Sequence, residues 1–540
     1  MTGAQALIKV LEQNKTTTIF GYPGAANGPI YDELSKSTIK HILTRQEQGA
    51  AHAASGYARV TGKVGVCMAT SGPGATNLIT GIATAYMDSI PIVAITGQVS
   101  TQEIGRDVFQ EVDITGATAP FCKHNYLVKD ANKLVKIVNE AFYIASTGRP
   151  GPVLIDIPID IQQKEISFLQ DFKPDIRGYK PTYEGHGLQI KKIIKAIQHA
   201  QRPVICAGGG VIASNASQEL LAIAEKVGIP IVTTLMGISA FPATHTLYLG
   251  MIGSHGVYAA NKAVANADLL IVMGARAGDR ATAQADKFAR QAQIVHIDID
   301  PAEIGKNLGA NIPIVGDVKT ILTQMLKHIT ISYKQEWTDN VVRWKQENAK
   351  KDSAKKDAPY VSPQYVLNVL SQLTKGEAIV TTEVGQNQIW AANNYKPTVP
   401  GYFLTSGGLG TMGYGLPAAI GAKLGAPDKE VITISGDGSF QMNMQELATI
   451  KQWGADVKIL LFNNARLGMV RELQKMRFKS NYYATTLDGN PDFVKIAAAY
   501  DIPAEKVVQN AAVEETLKRA LAYNGSYLIE FSIDPEESTL

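Results

Sequence analysis

The amino-acid sequence predicts an α/β protein made of three doubly wound parallel-sheet domains. Apolar runs of strand length alternate with helical patterns along the chain, and a glycine-rich turn follows most runs. Continuous hydrophobicity, as opposed to strict alternation, is typical of strands covered on both faces in parallel sheets. A chain of 540 residues is also too long to form a single core.

Two polar stretches divide the chain into three blocks. They lie at residues 171–187 and 344–363, and we interpret both as linkers, the second of them charged and helical. We therefore expect domains at residues 1–170, 185–330 and 360–540. Strand-sized runs in these blocks include, in chain order, TTIFG, VGVCMAT, IPIVAITG, VLIDIP, PVICA, IPIVTT, DLLIVMG, QIVHIDID, EAIVTT, EVITISG, VKILLF and SYLIEFS.

Composition excludes several classes of protein. The 52 basic and 49 acidic residues are interspersed, so no basic stripe for nucleic acid is present. Three scattered cysteines without a C-x-x-C motif indicate reduced, buried thiols and not a disulfide frame or a zinc site. Lys9 and Glu12 interrupt the first apolar run, which favours an amphipathic helix over a signal peptide. We expect a soluble cytoplasmic protein with no nucleic-acid or membrane partner.

Glycine-rich turns mark the expected ligand sites. In open parallel sheets, ligands bind beyond the carboxyl ends of the strands. The turns that follow predicted strands in all three blocks lie at residues 21–24, 71–74, 208–210, 274–278 and 436–438.

Asp437 and Asn464 each follow an apolar run, with a predicted amphipathic helix at residues 439–453 between them. Such a βαβ unit leaves both side chains at one edge of the sheet, where a carboxylate and an amide oxygen suit Mg²⁺. Gly436 and Gly438 allow phosphates to approach the backbone, and Ser439 opens a helix whose N-terminus favours anions. For an isolated Gly-Asp-Gly, a plain turn followed by a helix entry is an equally good interpretation.

The spacing of this motif favours the first interpretation. The Gly-Asp-Gly of residues 436–438 and the Asn-Asn of residues 463–464 have 24 residues between them. This pattern resembles the diphosphate-binding motif of thiamine-diphosphate enzymes. The resemblance implies that the metal is held by Asp437, Asn464 and the backbone carbonyl of Arg466.

Thiamine diphosphate also requires a carboxylate beside its aminopyrimidine ring, in a pocket of low dielectric. Glu47 is placed at the end of a strand, just before a helix of small residues at 49–58. The alternative is a helix-start glutamate that the helix dipole favours. Residues 42–59 resemble the corresponding stretch of acetohydroxyacid synthases almost residue for residue, which implies that Glu47 is the activating acid.

The resemblance to the acetohydroxyacid (acetolactate) synthase catalytic subunits extends over essentially the whole chain. It is carried by residues 21–32, 70–99, 109–116, 148–158, 406–422 and 436–447. It implies that Met412 is the apolar wedge under the bent cofactor, although a lone methionine is more often core filler. It further implies that Gln110 faces the active centre and that the cofactor contacts include Pro73, Asn77, Val384, Gly385, Gln386, Gly410, Gly436, Gly438, Ser439, Leu467, Gly468, Met469 and Val470.

The middle block resembles the FAD-binding domain of the same enzymes and of pyruvate oxidases. Three glycines after a strand are weak support alone, since they also suit a tight turn. The resemblance implies a structural flavin that does no net redox work. Its contacts would be Gly208, Gly209, Gly210, Thr234, Leu235, Met236, Gly253, His255, Gly274, Arg276, Arg280, Asp298, Ile299, Asp317 and Val318.

The reaction implied is decarboxylation of pyruvate and transfer of the two-carbon unit to a second 2-oxo acid, pyruvate or 2-ketobutyrate. The product is 2-acetolactate, in branched-chain amino acid biosynthesis. The resemblance also implies at least a homodimer, with a dimer of dimers as the next assembly, and leaves a separate regulatory subunit open. The alternatives are an FAD-dependent pyruvate oxidase, a 2-oxo acid decarboxylase, or a non-catalytic nucleotide-binding protein on the same frame.

Four departures from the family pattern involve five positions. Ala25 replaces a glycine, Ile159 a lysine, and Ala277 with Gly278 a phenylalanine and an acid. Leu473 stands where many biosynthetic enzymes have a tryptophan that favours 2-ketobutyrate. One methylene of discrimination is worth about 1–3 kcal/mol, so we expect only a weak preference for 2-ketobutyrate as the acceptor.

Overall fold

The computed structural model describes residues 1–168, 175–282, 288–330, 333–351 and 359–539, and side chains as far as residue 347 in the fourth range. Three six-stranded sheets contain all the named strands of these residues. The strands are β1 (Thr18–Gly21), β2 (Lys40–Leu43), β3 (Gly65–Ala69), β4 (Ile92–Gln98), β5 (His124–Leu127), β6 (Val153–Pro158), β7 (Pro203–Ala207), β8 (Ile231–Thr233), β9 (Tyr248–Met251), β10 (Leu269–Met273), β11 (Gln293–Asp298), β12 (Ile312–Val315), β13 (Ile379–Thr382), β14 (Phe403–Leu404), β15 (Val431–Gly436), β16 (Lys458–Asn463), β17 (Ala504–Val507) and β18 (Tyr527–Ser532).

Helices connect these strands and cover both faces of each sheet. They are α1 (Gly3–Gln13), α2 (Gly28–Leu34), α3 (Glu47–Thr61), α4 (Pro73–Asn77), α5 (Ile79–Asp88), α6 (Ile114–Thr118), α7 (Leu134–Ser146), α8 (Ile159–Gln163), α9 (Gly187–His199), α10 (Gly209–Ala213), α11 (Ser217–Val227), α12 (Tyr258–Asn266), α13 (Asp279–Thr282), α14 (Val318–Leu326), α15 (Gln335–Lys351), α16 (Pro363–Thr374), α17 (Gln386–Asn394), α18 (Gly415–Gly425), α19 (Asp437–Phe440), α20 (Leu447–Trp453), α21 (Gly468–Arg477), α22 (Phe493–Ala499) and α23 (Val513–Ala522).

The three sheets confirm the predicted fold class. Their strand orders are β2-β1-β3-β4-β6-β5, β12-β11-β10-β7-β8-β9 and β14-β13-β15-β16-β18-β17. The pairings within them are parallel, as in β3 beside β4 and β15 beside β16. Alternate residues of a strand enter different hydrophobic clusters: Val66 and Met68 of β3 pack on one face, Cys67 and Ala69 on the other. Both faces are therefore covered, which explains the continuous apolar runs.

The prediction of one helix at residues 439–453 was wrong. The segment forms the short helix α19, a turn, a 3₁₀ turn at Met444–Glu446 and then α20. Asn443 interrupts the helix because its side chain donates to the carbonyl of Gly413, at 2.6 Å, in place of continuing the helical pattern. The expectation that Ser439 opens a helix was also wrong, because α19 begins at Asp437, and its four residues give only a small dipole.

The linker predictions have mixed outcomes. Residues 175–186 form no helix or strand, while residues 171–174 lie outside the described part. The charged stretch is helical through Lys351 in α15, as expected, and residues 352–358 are again outside it. The boundaries of the three domains remain predictions.

Helices α3 and α18 pack very closely and join the first domain to the third. A Cβ atom on Gly56 would overlap the backbone carbonyl of Ala418, and one on Gly421 would overlap that of Ala53. Small residues at these positions let the two backbones approach. This contact places the start of α3, and with it Glu47, against the third domain of the same chain. None of the described helices is long and apolar enough to cross a membrane.

Candidate active site

The first half of the site lies where α3 and α4 begin. Glu47 is the first residue of α3, and Asn77, the last residue of α4, donates to its Oε2 at 2.9 Å. Pro73 opens α4, after Gly72 with φ of +59°. A Cβ atom on Gly74 would lie 3.4 Å from Glu47 Oε1. The structure therefore brings Glu47, Pro73 and Asn77 together, as predicted.

Gln110 belongs to the same group. A Cβ atom on Gly72 would lie 2.9 Å from the Cβ atom of Gln110, so the two backbones are in contact. Gln110 has a left-handed φ of +61°, which is uncommon for a residue with a side chain. Backbone conformations of this kind occur preferentially at functional sites.

Glu446 supports the turn before Glu47 and was not predicted from the sequence. Its Oε1 accepts the backbone N–H groups of Arg45 at 2.9 Å and Gln46 at 3.1 Å. The side chain is fully buried, and burial raises its pKa, although hydrogen bonds from Thr449 and from the two backbone groups oppose this. The sequence around Glu446 has the pattern of an amphipathic helix, and this pattern does not show that the side chain contacts the turn before Glu47.

The second half of the site lies at the carboxyl ends of β15 and β16, which are adjacent strands. Asp437 is 2% exposed, and its Oδ2 accepts the side-chain amide of Asn490 at 2.6 Å. Burial raises the pKa of Asp437 to about 6, opposed by hydrogen bonds from Asn490 and the backbone of Asn464. The acid and the amide thus meet at one sheet edge, as predicted. Asn490, from the loop before α22, was missed.

The amide of Asn464 is held by its neighbours. Its Nδ2 donates to Gln386 Oε1 at 2.9 Å, and its Oδ1 accepts the backbone N–H of Arg466 at 3.1 Å. A Cβ atom on Gly468 would overlap Gln386 Oε1, so a side chain there would displace the amide that holds Asn464. Leu467 lies against Gly438, because a Cβ atom on Gly438 would lie 2.9 Å from Leu467 Cδ2.

Met412 lies in a loop that a buried acid holds in place. Glu383 is fully buried; its carboxylate accepts the N–H groups of Gly413 at 2.7 Å and Leu416 at 3.2 Å. Burial raises the pKa of Glu383 to about 7, and these bonds oppose the rise. A Cβ atom on Gly438 would lie 3.9 Å from Met412 Cε, which puts the methionine beside the Asp437 turn and not in the core.

The remaining predicted residues of the third domain also gather at this edge. A Cβ atom on Gly410 would lie 4.0 Å from Val384 Cγ1, and Gly385, with φ of +148°, precedes α17. Met469 and Val470 follow Gly468 at the start of α21, where Val470 is 45% exposed. Ser439 is buried, and its hydroxyl donates to the carbonyl of Gly436 at 3.2 Å.

Within the part of one chain that the structure describes, the predicted polar ligands of the two halves make no direct contact with each other. Among the described residues, no hydrogen bond or ion pair connects Glu47 or Asn77 with Asp437, Asn464 or Gln386. The single chain thus presents two separate groups of polar residues on its first and third domains.

The predicted flavin residues gather at the strand ends of the middle domain. Gly208 and Gly210 pack against the backbone of Gly274 so closely that a Cβ atom on either would overlap it. Gly253 touches the backbone of Arg280, and a Cβ atom on Gly209 would lie 3.3 Å from Met236. Thr234 and Leu235 directly precede Met236 in the turn after β8.

Some of the charged residues predicted to contact the flavin form hydrogen bonds within the protein. Arg276 donates to the carbonyl of Met87 in α5 at 2.6 Å. Asp298 is 7% exposed, and burial raises its pKa to about 6. Ile299 follows it at the end of β11. Asp317 caps α14 by accepting the N–H of Thr320 at 3.0 Å, just before Val318, so a structural role explains this acid without a ligand.

Arg149 was missed by sequence reasoning, although it reaches this region from the first domain. It donates to Glu303 at 3.0 Å and to Asp300 at 3.3 Å, in the segment that follows Asp298. Its Nε donates to Ser89, the residue after α5. An arginine in a Gly-Arg-Pro-Gly turn carries no signal of such a contact.

Comparison with known proteins identifies the family. Three descriptions match: "Thiamine pyrophosphate enzyme, N-terminal TPP binding domain" at residues 1–117, the central domain at 190–325 and the C-terminal TPP binding domain at 383–531. A "Probable acetolactate synthase large subunit" of Methanocaldococcus jannaschii is 49% identical over 100% of this chain and 93% of its own length. The chain belongs to the acetolactate synthase family of thiamine pyrophosphate enzymes.

Other members of the family are similarly close. "Acetolactate synthase" of Arthrospira platensis is 46% identical, over 99% of this chain and 95% of its own. "Acetolactate synthase large subunit" of Corynebacterium glutamicum is 46% identical, over 97% and 85%. The chain is thus the catalytic subunit of a thiamine-dependent transferase that forms carbon–carbon bonds.

The departures from the family pattern are tolerated by the local structure. Ala25 is exposed and starts a 3₁₀ turn with ordinary φ, so a second glycine is unnecessary. A Cβ atom on Gly278 would meet nothing within 4 Å, which means that packing does not require the loss of the acid. Ile159 opens α8, and Leu473 is half-buried in α21.

Proposed function

We propose that the chain converts two molecules of pyruvate, or pyruvate and 2-ketobutyrate, into an acetohydroxy acid and carbon dioxide. With pyruvate alone, the product is 2-acetolactate. The observation that carries this proposal is the identity of 46–49% over nearly the full chain to acetolactate synthases. The two polar groups described above are the residues that such a reaction needs.

The residues of the third domain fit a metal-bound diphosphate. A buried carboxylate and an amide oxygen are hard ligands of the kind that Mg²⁺ takes, and the glycines around them leave the backbone open to phosphate oxygens. Asp437, Asn464 and the carbonyl of Arg466 would hold the ion. The side-chain amide of Asn490 donates to Oδ2 of Asp437 and holds the carboxylate in place.

When bound, thiamine diphosphate supplies the electron sink for decarboxylation and carbon–carbon bond formation. Glu47 would hold a proton for the aminopyrimidine ring, and the hydrogen bond from Asn77 to its Oε2 holds the carboxylate in place. Met412 would support the ring from below. Gln110 would orient the bound substrate near the reacting carbon.

We also propose that each active site is shared between two copies of the chain. Among the described residues, no hydrogen bond or ion pair joins Glu47 or Asn77 to Asp437, Asn464 or Gln386, which supports this arrangement. The inactive variants Glu47→Gln and Asp437→Ala provide a test. In a mixed dimer, one site receives both defects and the other receives neither, so mixing and reassembly should restore activity. No recovery would support a site within one chain.

We further propose FAD in the middle domain, where the tight glycine packing, Arg276 and Asp298 suit a dinucleotide. Purified protein should then carry a flavin absorbance band near 450 nm or gain one on addition of FAD.

The relatives that are called large subunits also suggest a smaller regulatory partner for this chain. The buried free thiols Cys67, Cys122 and Cys206 suit the cytoplasm.

The deciding experiment incubates the purified protein with pyruvate, Mg²⁺ and thiamine diphosphate, with and without FAD. Acetolactate and oxygen uptake are measured in parallel. Acetolactate without oxygen uptake supports the proposed synthase. Oxygen uptake without acetolactate would overturn it in favour of a pyruvate oxidase, and acetaldehyde alone in favour of a simple decarboxylase.

A further inference from the structure

A chain of buried hydrogen bonds runs away from the candidate metal ligand Asn464. Asn464 donates to Gln386 Oε1 at 2.9 Å, and Gln386 Nε2 donates to Glu472 Oε1 at 2.7 Å. Asn464, Gln386 and Glu472 are 7%, 6% and 8% exposed. Buried polar groups of this kind depend on one another, because each is costly to leave unpaired.

The chemistry of Glu472 fixes the direction of this chain. An ionised carboxylate accepts hydrogen bonds and donates none, whereas an amide presents one accepting and one donating end. The amide of Gln386 must therefore point its Nε2 toward Glu472 and its Oε1 toward Asn464. Asn464 must then donate to that oxygen from its own Nδ2. Its Oδ1, the only atom of the amide able to bind a cation, therefore faces away from Gln386.

We propose that Glu472 is a positioning residue that sets the orientation of the Asn464 amide for metal binding. This inference rests on the proposed function, since it concerns the same metal site. Glu472 does not touch the ion; it acts through Gln386. Residues that orient a ligand in this way typically change metal affinity by about 10–100-fold when they are removed.

The last described residues of the chain complete the arrangement. Thr539 donates to Glu472 twice, from its backbone N–H to Oε1 and from its hydroxyl to Oε2, both at 2.7 Å. The backbone carbonyl of Glu537 accepts a second hydrogen bond from Gln386 Nε2, at 2.8 Å. The hydroxyl of Thr539 also lies 3.3 Å from Nδ1 of His255 in the middle domain. The orientation of Gln386 is thus fixed from two sides.

The effect of a substitution at Glu472 should therefore depend on whether the new side chain can accept a hydrogen bond from Gln386. In Glu472→Gln, the new Oε1 can accept from Gln386 and from the N–H of Thr539, while its amide group donates to the Thr539 hydroxyl, so the direction of the chain is kept. In Glu472→Leu and Glu472→Met, the acceptor is lost and one N–H of Gln386 is left unpaired. Lys475, exposed on the same helix, provides the matched control.

The test measures Mg²⁺ affinity by calorimetric titration in the presence of thiamine diphosphate, and the melting temperature of the metal-free protein. We expect Glu472→Leu and Glu472→Met to weaken Mg²⁺ binding by about tenfold or more, with Glu472→Gln and Lys475→Ala within about threefold of the parent. Because the leucine and methionine variants leave an N–H of Gln386 unpaired, their metal-free melting temperatures should also fall, and the Mg²⁺ affinity relative to Glu472→Gln decides the role of Glu472. If the leucine variant unfolds, the methionine variant, which fills more of the same volume, decides.

The outcomes separate the two proposals. A parent protein that binds no thiamine diphosphate with Mg²⁺ would overturn the proposed function itself. A parent that binds both, with parental Mg²⁺ affinity in the leucine and methionine variants, would overturn only the role of Glu472. Equal losses in Glu472→Gln, or a lower metal-free melting temperature with unchanged metal affinity, would show a merely structural role and overturn it as well.

Discussion

Glu446 of the third domain accepts the backbone N–H of Gln46, the residue before Glu47, at 3.1 Å. This contact joins the residue before the candidate activating acid to a buried carboxylate that lies 400 positions away in the chain. We predict that Glu446→Ala lowers the turnover number with pyruvate by at least tenfold, because displacing a catalytic group by a fraction of an ångström to 1 Å costs up to about 100-fold. Steady-state kinetics would measure it.

The control is Glu446→Gln, in which one amide oxygen still accepts both N–H groups and the amide nitrogen donates to Thr449. This variant should keep most of the parental turnover. An alanine variant as fast as the parent would show that the turn before Glu47 needs no support.

Glu47→Gln is predicted to lose activity while it keeps the cofactor. The contact with Asn77 survives with an amide, but the group that holds the proton is gone. General acid–base groups contribute about 10²–10⁴-fold to rate, so turnover should fall by that factor. Thiamine diphosphate affinity should change only a few-fold, because the diphosphate is held elsewhere. Acetolactate formation and calorimetric binding would be measured together; full activity would contradict the role of Glu47.

The sequence predicted the inner strands far better than the edges of the sheets. All twelve inner strands correspond to apolar runs, because both faces and both sides of these strands are covered. The edge strands β5, β14 and β17 carry no such run: they have polar residues or only two positions in the ladder. Hydrophobicity reports burial, so it does not detect strands that solvent reaches on one side.

Some residues of the candidate site could be predicted from the sequence and others could not. The placement of Asp437 and Asn464 was predictable because both directly follow strand ends within a long, recognisable motif. The placement of Glu47 at a strand end before the helix was wrong: β2 ends at Leu43, and Glu47 is itself the first residue of α3. Glu446, Asn490 and Arg149 were not predictable, because each acts through a contact formed only in the folded chain. Glu472 lies between the predicted contact Val470 and the departure at Leu473, but only its hydrogen bond with Gln386 in the folded chain suggests a role.

Asp437→Ala is predicted to weaken the binding of Mg²⁺ and thiamine diphosphate together. It removes the only carboxylate of the proposed metal site, so the loss should exceed the roughly 10–100-fold that follows from removing a residue that merely orients a ligand. The matched control is Asp428→Ala, since this exposed acid precedes β15, at the opposite end of that strand from Asp437. Titration calorimetry would measure both, and equal affinities for the Asp437 variant and the parent would refute the site.

Leu473→Trp is predicted to shift the acceptor preference toward 2-ketobutyrate by about tenfold. A larger apolar side chain in α21 would contact the additional methylene of 2-ketobutyrate, a difference worth about 1–3 kcal/mol. Product ratios in competition between pyruvate and 2-ketobutyrate provide the measurement. Leu473→Met, which conserves volume, should leave the ratio unchanged. A parent chain that already prefers 2-ketobutyrate strongly would contradict the prediction.

Asp156→Asn is predicted to stabilise the protein at high pH. Asp156 is 2% exposed in the first sheet, where it accepts from Thr96 at 2.7 Å and Gln98 at 2.9 Å. Burial raises its pKa to about 7, above the ordinary value of 3.8. Between these values the folded protein binds a proton that the unfolded chain has released. The free energy of unfolding therefore falls as the pH rises through this window.

Asparagine resembles the neutral carboxyl group and does not titrate. The melting temperature of Asp156→Asn should be close to that of the parent at pH 4. At pH 8 it should be higher than that of the parent by several degrees. Because the buried acids Asp88 and Glu383 titrate in both proteins, the difference isolates Asp156. The control Asp32→Asn, at an exposed surface pair, should show no such trend. A difference that is constant over this range would mean that Asp156 stays ionised in the folded protein.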